Sequence, residues 1–238
     1  MSNFSIKVKN LSKVYNNHTV LHNLNFSFEE NGIFGLLGRN GAGKTTLLGI
    51  LMGLVTPSSG EVLILGKNLK KQKYAILNKI NFQSPYVDLP KKMTVRQNLA
   101  FYSRLYGIKN FKKNLLILSD ELRINKLLNK SFGSLSAGQK TRVSLCKALI
   151  NKPKLLLLDE PTASLDPETS IFVRKYLDNY QKANKSTILL ASHNLNEVES
   201  MCKKIIILKS GKISAEGKIS DLLKSRKHSS FEKLFLEN

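Results

Sequence analysis

Two kinds of apolar pattern alternate along this chain. Over residues 5–9 and 20–28 apolar and polar side chains take turns, which predicts strands that bury one face and pair into a small antiparallel sheet. Residues 33–37 are instead an unbroken apolar run, the mark of a strand buried on both faces. That run stops at a glycine-rich stretch, residues 38–43, and a helix is predicted from Lys44 to about Met52. Residues 57–60 read as a turn, and 62–65 and 80–83 as further strands. From about residue 84 to 150 the strand signal disappears. Apolar spacings of three and four predict helices there over 95–106, 113–118 and 138–150. Strand-like runs return at 155–158, 187–191 and 205–208, separated by helical patterns around 167–181 and 195–202. Such alternation predicts a parallel sheet with helices on its faces. Residues 84–150 are then a helical insertion, and residues 220–238 read as a polar terminal helix and tail.

Length and composition narrow the class. A chain of 238 residues fits one large α/β domain carrying a subdomain, so residues 1–238 are read as a single domain. With 42% apolar and 23% charged residues it matches neither a disordered chain nor a collagen-like or disulfide scaffold. No run approaches the roughly 18 apolar residues of a membrane span, and the start lacks a signal-peptide core, so a cytosolic chain is expected. Cys146 and Cys202 stand far apart without a CxxC pair and are read as reduced thiols. His18 and His22 have helical spacing inside a strand pattern and give no metal site, and His228 carries no motif.

Charge adds a partner question. The chain has 38 basic and 17 acidic residues, net +21, and residues 62–119 alone hold 12 Lys/Arg against the single acid Asp88. Such an excess suits either a lysine-rich solvated surface or a face near anionic headgroups. Lysines outnumber arginines 31 to 7, which argues against sequence-specific nucleic-acid reading, where bidentate Arg is preferred.

The chemistry begins at Gly38-Arg-Asn-Gly-Ala-Gly-Lys-Thr45. Its GxxxxGK[ST] spacing follows an apolar strand and opens a helix, the setting of a phosphate-binding loop. Glycines let successive backbone N–H groups turn inward on phosphate oxygens, and the helix N-terminus adds positive potential. The expected nucleotide contacts are Gly38, Asn40, Gly41, Ala42, Gly43, Lys44, Thr45 and Thr46. Among them Lys44 reaches the β- and γ-phosphates and the Thr45 hydroxyl holds Mg²⁺. The run Leu155-Leu-Leu-Leu-Asp159-Glu160 is the companion: a buried strand whose carboxylates fall at its C-terminal edge, where open α/β sheets bind ligands. Asp159 is expected at Mg²⁺, directly or through its hydration sphere. Glu160 is placed to accept a proton from, or orient, a water attacking the γ-phosphate.

Leu135-Ser-Ala-Gly-Gln139, some twenty residues before Asp159, resembles the signature loop of the ABC transporter ATPases. The resemblance implies a P-loop NTPase fold with a RecA-like α/β core, an N-terminal antiparallel β-subdomain and an inserted α-helical subdomain. It implies ATP and Mg²⁺ as ligands. It also implies a head-to-tail dimer, taken as a homodimer, in which Ser136, Gly138 and Gln139 of one subunit meet the γ-phosphate held by the other. Ala137 departs from the commonest LSGGQ form, a change the backbone tolerates if that position does not need a positive φ. By the same resemblance Tyr15 stacks on adenine, and Gln83 touches Mg²⁺ or the attacking water and links to a transmembrane partner. Ser164 and Asp166 lie in a loop that faces the other subunit, and His193 contacts the γ-phosphate. Residues 84–90 and 93–107 look like those of ABC-2-type exporter ATPases. The implied function is ATP-driven transport, in the direction of export, through a separate membrane permease. The implied location is the cytoplasmic face of the membrane, reached through that permease. A non-transport ABC ATPase acting on nucleic acid is the alternative; one nucleotide domain without a coiled-coil insertion argues against it.

Overall fold

The computed structural model describes residues 4–163, 165–225 and 230–237; Ser164 and His228 lie outside the described residues. The N-terminal alternating segments form β1 (Phe4–Tyr15) and β2 (His18–Glu29), an antiparallel pair longer at both ends than the alternation alone suggests. Asn16 and Asn17, between Tyr15 and its partner His18, both take positive φ, 43° and 66°. That is the backbone of a two-residue hairpin whose twist matches its strands, and asparagine tolerates it better than most residues. The chain then enters β3 (Ile33–Leu37), returns for β4 (Ser59–Ile64) and the short β5 (Lys67–Asn68), and so builds a four-stranded sheet in the order β2-β1-β4-β5.

The continuous apolar runs build the second sheet. To β3 it adds β6 (Ile80–Gln83), β7 (Leu155–Asp159), β8 (Thr187–Ser192), β9 (Lys204–Lys209) and β10 (Lys212–Gly217), in the order β10-β9-β3-β8-β7-β6. All its pairs are parallel except β10 with β9. Every residue of β3, β7 and β8 is buried, because both faces of the sheet are covered. Leu155 and Leu157 of β7 face one core, shared with α1 (Lys44–Leu51) and the N-terminal sheet. Leu156 and Leu158 face the other, which is filled from helices between β6 and β7 and beyond β7. This two-sided burial is why the strand sequences do not alternate.

After the short α2 (Lys73–Leu77), the stretch between β6 and β7 is helical: α3 (Val95–Leu105), α4 (Phe111–Glu121) and α5 (Ala137–Leu149), with two 3-10 turns at Asn125–Leu127 and Phe132–Ser134. Thr94 caps α3, accepting from the Gln97 N–H, while the Gln97 side chain accepts from the Thr94 N–H, a reciprocal box that fixes the helix start. Beyond β7 come α6 (Pro167–Asn184) and α7 (Leu195–Met201).

The C-terminal stretch differs from a polar helix and tail. It forms two short helices, α8 (Ile219–Ser225) and α9 (Phe231–Glu237), and α9 buries Phe231 and Leu234 against the core that holds Leu156 and Leu158. Two apolar anchors three residues apart suffice to dock one helical turn, yet they are diluted among charged neighbours in the sequence. Leu234→Ala is expected to cost about 2–4 kcal/mol in urea unfolding. A change within about 0.5 kcal/mol is what a solvated tail gives.

Candidate functional site

Strand order decides where the chemistry collects. β3, β8, β7 and β6 lie side by side and parallel, so their C-terminal ends form one edge. Four segments leave that edge in turn: the loop 38–43, Ser192 with His193, Asp159 with Glu160, and Gln83. The motifs, up to 155 residues apart, are thus brought together by topology.

The loop after β3 is shaped by its glycines. Gly43 takes φ 104°, a left-handed conformation that a side chain resists, and the Gly43 carbonyl accepts the first α1 hydrogen bond from Leu47 N–H at 2.9 Å. A Cβ on Gly38 would sit 2.6 Å from the Leu208 carbonyl oxygen, so no larger residue lets the loop cross β9 this closely. Lys44 folds into the loop, its Nζ donating to the carbonyls of Gly38 (2.5 Å) and Arg39 (3.4 Å). Burial lowers the Lys44 pKa, and the carboxyls of Glu160 and Asp159 partly restore it, which places this ammonium in the field of both acids. Gly41, Asn40 and Thr45 are exposed on the outer side of the loop, Ala42 is buried and Thr46 is half-buried.

At the end of β7, Asp159 is buried and accepts a hydrogen bond from Ser84 Oγ at 3.3 Å. Burial, then the adjacent Glu160, raises its pKa, while Ser84 and Lys44 work the other way. Glu160 is 7% exposed and takes φ 50°, a conformation costing a non-glycine residue about 1 kcal/mol. Its N–H is held by the Ala191 carbonyl at 2.8 Å. Its Oε1 lies 2.7 Å from Nδ1 of the exposed His193, and its Oε2 lies 3.3 Å from Ser192 Oγ. A buried carboxylate aimed at an exposed imidazole across adjacent strands can accept a proton and share it with a solvent-facing ring.

Gln83 ends β6, the neighbour of β7, and is 4% exposed; neither its Oε1 nor its Nε2 has a hydrogen-bond partner. A buried amide left unpaired is costly unless something else fills its valences. Lys147 of α5 ties this strand to the signature helix: its Nζ donates to the Phe82 carbonyl (3.0 Å) and Asn81 Oδ1 (3.3 Å), and burial brings its pKa down to about 8.

The signature segment lies at the start of α5. Ser136 is the N-cap: its Oγ accepts from Gln139 N–H at 3.4 Å, and its own N–H donates to Gln139 Oε1 at 3.1 Å. Ala137 is the first helical residue and does not need a positive φ, so the alanine fits there without strain. Gly138 leaves room, since a Cβ would meet Thr169 at an ordinary 3.5 Å. Asp166 caps α6, accepting from Thr169 N–H (2.9 Å) and Thr169 Oγ1 (2.7 Å), and these bonds hold its carboxyl below the usual range. Tyr15 ends β1 with its ring exposed and Lys13 Nζ 4.5 Å over its centroid.

Several residues of the site were not picked out by motif. Ser84, Ser192 and Glu197 touch the acids or each other, and Lys147 joins two segments 65 residues apart. Only Glu197 leaves a local sign in the sequence, an Asn three residues before a Glu at a helix start, with the Asn194 side chain accepting from Glu197 N–H at 3.2 Å.

The sequence matches the ABC transporter family over residues 21–163. Nod factor export ATP-binding protein I of Rhizobium etli is 35% identical over 222 residues, 92% of this chain and 70% of that protein. A solved ATP-binding subunit of an ABC transporter superposes with a TM-score of 0.90 at 28% identity, covering 98% of both chains. A dimeric ATP-binding cassette in a post-hydrolysis state, bound to ADP and Pi, superposes with a TM-score of 0.82 at 26% identity, covering 90% of this chain and 98% of that one. The chain belongs to the ABC transporter family. It is an α/β P-loop NTPase that binds and hydrolyses ATP as a subunit of an ABC transporter. Among the described residues no helix is long and apolar enough to cross a membrane.

Proposed function

We propose that this chain powers export through a separate transmembrane permease, as one half of a head-to-tail homodimer at the cytoplasmic face of the membrane. In this reading the whole chain works as one ATP-binding unit, with residues 84–150 as its helical subdomain. The backbone of Gly38, Asn40, Gly41, Ala42 and Gly43 cradles the phosphates, Lys44 and Thr46 hold them, and Tyr15 stacks on adenine. Ser136, Gly138 and Gln139 of the second copy close over the γ-phosphate, and Asp166 lies at the seam. Glu160 is the base that takes the proton of the attacking water, and His193 holds that water and the γ-phosphate in line.

Mg²⁺ fits the residues present. The unpaired Oε1 of buried Gln83 and the buried carboxylate of Asp159 are hard oxygen donors, and Thr45 stands at the head of α1 beside the loop. These three would hold the ion, which supplies charge neutralisation at the phosphates.

The single observation that carries the enzymatic reading is the 2.7 Å contact between Glu160 Oε1 and His193 Nδ1 at the sheet edge that also holds Lys44 and Asp159. Export through a permease is supported by the likeness to the Nod factor export protein and by a surface next to Gln83. There Tyr86 and Val87 are exposed on the 84–90 loop, apolar side chains suited to a partner, and α3 exposes Phe101 and Leu105 as well. Reconstituted in vesicles with its transmembrane permease, the subunit is expected to hydrolyse ATP several-fold faster than alone, and RNA or DNA is expected to add nothing. Stimulation by nucleic acid without any permease is the contrary result.

A further inference from the structure

Behind the Glu160 carboxylate lies a second buried acid that the reaction described above does not use. Glu197, in the first turn of α7, is 1% exposed. Its Oε1 accepts from Thr162 Oγ1 at 2.8 Å, and its Oε2 lies 2.9 Å from Ser192 Oγ. The same Ser192 oxygen lies 3.3 Å from Glu160 Oε2 and accepts from Asn194 N–H at 3.0 Å.

A serine hydroxyl has one hydrogen, and here two buried carboxyl groups face it. If both acids are ionised, one of the two short contacts sets oxygen lone pairs against each other, between negative charges that are 1% and 7% exposed. If Glu197 carries a proton on Oε2, every group is satisfied. Glu197 Oε2–H donates to Ser192 Oγ, Ser192 Oγ–H donates to Glu160 Oε2, and Thr162 donates to Glu197 Oε1. No atom is left unpaired and no proton has to move.

We infer that Glu197 is held as a neutral carboxylic acid and, through Ser192, positions Glu160 so that the opposite oxygen, Oε1, is left for His193 and the reacting water. The inference rests on the reading of Glu160 as the base. The surroundings agree with it. Burial raises the Glu197 pKa and Glu160 raises it further, against the pull of the Thr162 and Ser192 hydroxyls and of Arg174 in α6. Cys202, which follows α7, is half-buried, and desolvation of its sulfur keeps the thiol protonated, so it brings no charge to the site. β3, packed on α7, brings no titratable side chain, and Glu232 and Lys233 of α9 point into solvent. The position of Glu197 in the first turn of α7 favours the charged form slightly but leaves the count of hydroxyl hydrogens unchanged.

The test compares full-length variants in three readouts. Glu197→Gln keeps a neutral donor at the same place, so its kcat for ATP is expected to stay within about threefold of the natural protein. Glu197→Ala and Ser192→Ala break the chain and are expected to lower kcat about tenfold or more with ATP affinity little changed. The second readout is the infrared difference between natural protein and Glu197→Gln at about pH 7, which is expected to contain the carbonyl band of one protonated buried carboxyl. The third is the Tm difference. A carboxyl whose pKa is raised by folding adds stability that is present at low pH and lost as pH rises through the raised value. Glu197→Gln should therefore gain on the natural protein as pH rises above the ordinary carboxyl range. Absence of the protonated band, a Tm difference that does not change with pH, or Glu197→Gln as impaired as Glu197→Ala each overturns the inference. The infrared and Tm readouts do not involve hydrolysis, so failure of Glu160 as the base, seen as full turnover in Glu160→Gln, is read separately.

Discussion

ATP turnover by the Glu160→Gln protein is expected to fall by at least about 10²-fold while ATP still binds, because removing a positioned general base typically costs 10²–10⁴ in rate. The substitution keeps the shape and the contact with Ser192 but removes the group that accepts the water's proton. Nothing in the phosphate loop is touched: Lys44 keeps its place beside the Gly38 and Arg39 carbonyls. The expected signature is a lowered kcat with the Kd for ATP changed by less than about threefold, and ATP-loaded protein collecting as a dimer. Phosphate release and light scattering with ATP measure both. Undiminished turnover removes Glu160 from the proposed role.

Lys44→Ala is expected to act at the opposite step. A lysine that meets the β- and γ-phosphates makes charge-assisted hydrogen bonds, each contributing about 1.5–3 kcal/mol, so its loss should weaken ATP binding about 10- to 100-fold. Lys44 also donates to the carbonyls of Gly38 and Arg39, of which only the second is reached by another N–H, that of Ala42, so the variant also leaves Gly38 O short of a donor. The fold should survive, because the α1 core residues Leu47, Leu48, Ile50 and Leu51 are unaffected. Calorimetric titration with ATP gives the Kd, and near-native affinity contradicts the assignment.

How much of this was legible beforehand follows from the range of each interaction. The apolar runs of β3, β7, β8 and β9 and the loop between β3 and α1 are local patterns, and they could be read with the motif spacing. So could the loss of strand signal between β6 and β7. The hairpin turn at Asn16-Asn17 was present in the sequence but lacked the glycine that usually marks it. The docking of α9 by Phe231 and Leu234 was hidden by the charged residues around them, since burial there depends on a surface made by α7. Other features had no local trace. Ser84 meets Asp159 from 75 residues away, and Lys147 meets Phe82 from 65. The pairing of Glu160 with His193 was expected only as two residues in one reaction. Their contact arises because β7 and β8 are neighbours and end at the same height, with Asp159 paired to Ala191.

The central claim is that ATP is held between two copies of this chain, by the phosphate loop of one and the signature loop of the other. The most direct measurement is the structure of the Glu160→Gln protein trapped with ATP and Mg²⁺. Two copies related head to tail are predicted, each nucleotide touching Lys44 of one copy and Ser136 and Gly138 of the other. A monomeric ATP complex with Ser136 and Gly138 far from any nucleotide contradicts the account.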